Sequence, residues 1–97
     1  MLRTAFLLIA AAAASPALAQ TPHYSAELAA APSDNRLVVR DSVWRCSGAQ
    51  CVSGRSPRRH ILVCAGLARS AGEIRRFAVE GREFDSEQLA TCNAGAR

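Results

Sequence analysis

The residues of this 97-residue chain that could do chemistry are four cysteines, two histidines, eight carboxylates and twelve arginines. Cys46, Cys51, Cys64 and Cys92 follow the spacing C-x4-C-x12-C-x27-C. Zinc sites commonly draw on cysteines about two to four residues apart. Only the first pair here is that compact, so no metal ligand is assigned. The C-x-x-C of thiol oxidoreductases is also missing from the sequence. An even cysteine count in a small chain that opens on an export signal reads instead as a disulfide framework. Cys46 and Cys51 flank a four-residue connection, which in a regular hairpin sets them opposite each other, about 4.5–5.5 Å apart. Cys64 and Cys92 each fall on the apolar side of an expected helix. The expected pairing is therefore Cys46 with Cys51 and Cys64 with Cys92. Trp44 shares a face with Cys46, and if that face meets the first helix the alternative is Cys46 with Cys64.

Nucleophilic catalysis needs a base beside a serine or cysteine. The only histidines, His23 and His60, lie in no recognisable nucleophile motif. Glu80, Glu83, Asp85 and Glu87 cluster, but they surround an expected turn and helix start, where the helix dipole already favours negative charge. No catalytic residue and no cofactor are assigned, and a hydrolase or redox enzyme is disfavoured. The segment Arg55-Ser56-Pro57-Arg58-Arg59-His60 is different, because positive side chains at a helix N-terminus oppose its dipole. With the free N–H groups there, Arg55, Arg58 and Arg59 form a candidate site for a phosphate, sulfate or carboxylate. The competing reading is that these side chains simply extend into water, since exposed charges cost little. Beyond the N-terminal segment the aromatics are Tyr24, Trp44, Phe77 and Phe84, too few for a base-stacking platform, so nucleic acid is not expected.

These residues must be positioned by a small domain. Met1 to Thr4 carries one positive charge, Ala5 to Ala14 is apolar, and Ala17-Leu18-Ala19 supplies small residues where signal peptidase cuts, making Gln20 the first mature residue. The apolar run is well short of the roughly 20 residues that span a bilayer, and no lipobox cysteine follows it. The expectation is a cleaved signal over 1–19, a flexible tail over 20–23, one domain over 24–97, and a periplasmic or secreted product with no stable membrane span. Removing the first 19 residues leaves 78, with 11 arginines against 8 acids and no lysine. A chain of that size buries only about 60% of its unfolded surface, so cross-links matter.

Tyr24 to Leu28 alternates as a strand, followed by a loop to Asn35 containing the turn formers Pro32-Ser33-Asp34-Asn35. Leu37–Val39 and Val43–Cys46 are strand-like but out of phase, which implies a turn or bulge across Arg40-Asp41-Ser42. Ser47 to Gln50 connects back into Cys51-Val52-Ser53 as a hairpin. Ser56-Pro57 announces a helix ending at Gly72, with Ile61, Cys64, Ala65, Leu67, Ala68 and Ala71 on one side. Leu62 and Val63 lie outside that stripe, suggesting cover on more than one side. Gly66 implies close backbone packing. Ile74 to Val79 reads as a strand, Glu80-Gly81 as a turn, and Asp85 with Gln88 as the capping box of a short last helix stapled by Phe84 and Leu89.

Tyr24-x-Ala26-x-Leu28-Ala29, Trp44-x-Cys46 with Cys51 after it, Cys64, Phe77 and Leu89-Ala90-x-Cys92-Asn93 together resemble an uncharacterised family of small exported four-cysteine proteins of alphaproteobacteria. The resemblance spans Tyr24 to Asn93 and implies no activity. The fold class expected from the residues is α+β, a small antiparallel sheet with two helices, stabilised by disulfides. The function expected is that of a non-enzymatic structural or binding protein. Its partner would be a protein or, through the arginine cluster, an anionic ligand.

Overall fold

The computed structural model describes residues 22–96, so the expected signal and its Ala19–Gln20 junction lie outside the described residues. The first strand, β1 (Tyr24–Leu28), buries Tyr24, Ala26 and Leu28 on one face, as its period-two pattern requires. β2 (Arg36–Val39) and β3 (Ser42–Ser47) form a hairpin in which Val39 pairs with Ser42, so the phase break is a two-residue turn. Its first residue, Arg40, holds φ at 58°. β4 (Gln50–Ser53) returns along β3. Ser47 pairs with Gln50, leaving only Gly48-Ala49 as the turn instead of the four residues expected. Gly48 at φ 62° supplies the left-handed first position that so tight a hairpin needs, which is why the ladder continues beyond the cysteines.

α1 (His60–Ala71) ends at Gly72, whose φ is 99°, as the sequence implies. Its start differs from the expected one. The Ser56 hydroxyl accepts the N–H of Arg58 in a local turn, and Arg59 is extended, with φ −64° and ψ 147°. The hydroxyl is thus spent before the helix begins, and α1 starts at His60 with no side-chain cap. Cys64, Leu67 and Ala68 are buried as the stripe implies. Val63, outside the stripe, is buried too, while Leu62 is exposed. Gly66 faces β2, where an added Cβ would stand 3.4 Å from Val39 Cγ1.

β5 (Ile74–Val79) pairs with β1, with one extra residue beside the Glu27–Leu28 step. β6 (Arg82–Glu83) closes a hairpin with it through Glu80-Gly81. α2 (Ser86–Asn93) carries the expected capping box: Asp85 Oδ1 accepts the Gln88 N–H at 2.8 Å, and Gln88 Oε1 accepts the Asp85 N–H at 2.9 Å. All six strands form one antiparallel sheet in the order β2-β3-β4-β1-β5-β6, so the first strand in sequence lies inside the sheet.

The chain is thus a small disulfide-stabilised α+β fold. Trp44, Tyr24, Phe77, Leu28, Leu67 and Ile74 are fully buried between the sheet and the helices. Cys46 is bonded to Cys51 across the β3–β4 ladder, and Cys64 of α1 to Cys92 of α2. Asn93 adds a second attachment for α2. Its side-chain amide accepts from Ile74 N at 2.9 Å and donates to Ile74 O at 2.8 Å, imitating a strand partner.

Candidate functional site

The three arginines expected to gather at the start of α1 are carried apart. Arg55 Nη2 lies 3.6 Å from Glu80 Oε2 in the β5–β6 turn. Arg58 Nε lies 3.8 Å from Asp41 Oδ1 in the β2–β3 turn. β2 and β6 are the two edges of the sheet, so these two side chains point to opposite ends of it. Arg59 is exposed between them, extended ahead of α1. No common anion position results, because α1 begins after the arginines and two of them already face carboxylates.

The histidines, by contrast, are brought together. His23 falls in the expected tail but is fastened: its carbonyl accepts the Glu80 N–H at 2.7 Å, and its Nδ1 lies 3.2 Å from Glu80 Oε2. The alternation of β1 turns Tyr24 inward, where its ring lies 5.7 Å from Phe77 and 6.2 Å from Trp44, centroid to centroid. Its hydroxyl reaches His60 Nδ1, the first residue of α1, at 3.0 Å. The two imidazole centroids are 6.1 Å apart. Burial pushes the Tyr24 phenol above its ordinary pKa, and the charge of Arg55 partly offsets this. Held neutral, the hydroxyl donates to or accepts from Nδ1 according to the His60 tautomer.

Glu80 is the hinge of the cluster. It and Gly81 take φ of 52° and 85°, the two left-handed positions of a type I′ hairpin turn. Asparagine and glycine suit that first position better, so Glu80 holds a disfavoured conformation while its carboxylate faces His23 and Arg55. Beside it lies a cleft of about 610 Å³, lined among others by His60, Val79, Glu80, Arg82, Phe84 and Gln88. It opens between the start of α1, the β5–β6 hairpin and the first turn of α2. Val79 and Phe84 give it apolar wall; Arg82, Gln88 and His60 give it hydrogen-bonding rim.

All four cysteines are in disulfides, and among the described residues no three of His, Cys, Asp and Glu are grouped to hold a metal ion. The arrangement can recognise a ligand through hydrogen bonds and charge. The signal for it in the sequence was Tyr24 itself, since a buried tyrosine hydroxyl needs a partner. That the partner would be His60, 36 residues away, required the tertiary fold.

A family described as of unknown function, DUF8200, matches residues 8–94. No curated protein and no solved structure matches the chain. Among the described residues no helix is long and apolar enough to cross a membrane.

Proposed function

Since the chain belongs to DUF8200, a family of unknown function, we propose from its own residues that it is an exported, non-enzymatic binding module that takes a small amphipathic ligand in the cleft beside His60. The observation that carries this reading is the cleft itself. Its volume of about 610 Å³ falls in the roughly 300–1,000 Å³ range of ligand pockets, and its lining combines apolar wall with a few convergent polar groups. The non-enzymatic part is supported by how the neighbouring titratable groups are engaged: Tyr24 with His60, and Glu80 with both His23 and Arg55. Export to the periplasm or beyond is supported by the apolar leader ending in Ala17-Leu18-Ala19 and by two disulfides that need an oxidising compartment.

The test is an NMR screen of the isotope-labelled protein against a fragment set containing aromatic amides and carboxylates. The reading expects shift changes concentrated on His60, Arg82, Phe84 and Gln88, and their loss in Phe84→Ala. If no fragment perturbs the cleft, or if the perturbed residues lie on the opposite face of the sheet, the cleft is not the binding site.

A further inference from the structure

The polar groups that line the cleft beside His60 differ in how far they are already engaged. Two of them are carboxylates, Glu80 and Glu83, and both are taken. Glu80 Oε2 lies 3.2 Å from His23 Nδ1 and 3.6 Å from Arg55 Nη2. Glu83 Oε2 accepts from Arg76 Nη2, and the hydrogen bond and charge of that guanidinium hold its carboxyl below the usual carboxylate range. The other polar groups retain capacity, and it is capacity to donate. Arg82, paired with Val79 in the β5–β6 hairpin, is exposed, and among the described residues it has no carboxylate within 4.0 Å. Gln88 spends its Oε1 on the Asp85 N–H, so the N–H groups of its amide remain. His60 meets Tyr24 through Nδ1, which leaves Nε2 for a further partner.

We propose that the cleft takes a small monocarboxylic acid built on a single aromatic ring or a short aliphatic chain, with its carboxylate on Arg82 and its body against Val79 and Phe84. This assignment rests on the reading of the cleft as a ligand site and names the class of ligand. Guanidinium and amide N–H groups donate and cannot accept, so the head of the ligand has to accept from them. A carboxylate does so with charge, and its two oxygens match the arginine fork in parallel N–H···O bonds. Gln88 and the Nε2 of His60, when that atom carries the ring proton, line the same cleft as further donors.

Charge narrows the class further. A cationic ligand such as an amine would have to draw Glu80 away from Arg55 and His23, or Glu83 away from Arg76. A phosphate monoester or a dicarboxylate would bring about two negative charges to a cleft with one uncompensated cation and two carboxylates in its lining. A monoanion is the charge that Arg82 alone can balance. The apolar wall sets the body. Val79 and Phe84 are half-buried, and the Phe84 ring is braced 4.8 Å from that of Phe77, centroid to centroid, so a fixed aromatic surface stands in the cleft. Because Arg82 is exposed, solvent screens its attraction, and the preference for a charged head is modest.

Amide chemical-shift titration of the oxidised protein with hydrocinnamate, hydrocinnamamide and phenylpropylamine tests the proposal, since the three share a body and differ at the head. The acid should bind the cleft about fivefold tighter than the amide, and the amine more weakly than either. Arg82→Gln should bring the acid down to the affinity of the amide and leave the affinity of the amide unchanged. Arg82 is exposed, so native amide dispersion in the variant separates a lost contact from lost folding. A cleft that binds acid and amide equally, prefers the amine, or keeps its preference for the acid in Arg82→Gln is still a ligand site, and the carboxylate assignment is overturned. If none of the three perturbs the cleft, that assignment also falls, and the wider fragment screen decides the cleft itself.

Discussion

Tyr24 is the only tyrosine of the chain, and it is fully buried with its hydroxyl on His60. Its ionisation can therefore be followed without interference from another phenol. Burial holds the proton more tightly in the folded state, so the folded pKa lies above the unfolded value of about 10. The sign follows from linkage: the stability this group contributes is complete below the unfolded value and is lost as pH rises through the folded one. Ultraviolet titration should show tyrosinate forming at higher pH in the native protein than in denaturant, and the melting temperature should fall as pH is raised past that point. Tyr24→Phe should abolish this alkaline dependence and cost about 1 kcal/mol, the worth of one hydrogen bond. A native titration at or below the unfolded one would contradict the burial argument.

At the scale of elements, what was legible in the sequence was whatever local rules decide. β1 announced its inward face by alternation, the β2–β3 turn by a loss of phase, and α2 by Asp85 with Gln88, because each signal lies within a few residues of what it controls. The start of α1 departs from the local expectation because two rules compete: Ser56 can cap a helix or close its own turn on Arg58, and the turn prevails. The β3–β4 turn is shorter than the cysteine spacing suggests because pairing continues past the disulfide to Ser47 and Gln50. The Asn93 clamp and the His60–Tyr24 contact were not legible, since both join residues far apart in sequence. The short α2 shows why such contacts matter, as eight residues are too few for a stable isolated helix. It is held by Cys92 and by Asn93 on Ile74. Removing the disulfide with Cys64→Ser and Cys92→Ser should cost about 3.5 kcal/mol in the chain-entropy model and expose α2 to hydrogen exchange and proteolysis first. The matching pair Cys46→Ser and Cys51→Ser should cost only about 2 kcal/mol, because the loop it closes in the unfolded chain is much shorter, and should leave α2 protected, because that bond lies within the β3–β4 ladder. Equal loss of α2 protection in both variants would show that α2 is not docked through Cys92.

For the molecule as a whole, the described domain runs from residue 22 to 96, and stability of roughly 0.05–0.15 kcal/mol per residue would give about 4–11 kcal/mol in total. The two disulfides together account for about 5.5 kcal/mol on the same entropic reasoning, a large share of that total. A single core between one sheet face and two helices has little reserve to replace them, all the more because the other sheet face contributes only exposed valines. The reduced chain at 37 °C should therefore populate the unfolded state extensively, whereas the oxidised chain stays folded. The near-ultraviolet circular dichroism of Trp44, the only tryptophan and fully buried, reads this directly. The route to reduction is also constrained: Cys51, Cys64 and Cys92 have no exposed surface and Cys46 has 8%. A thiol reductant can reach the bonds only after the chain opens, so the rate of reduction should level off with reductant concentration and rise with mild urea. A native-like tryptophan signal with all four thiols free would show that the core alone carries the fold, and a reduction rate that climbs without limit would show that the sulfurs are reached in the closed state.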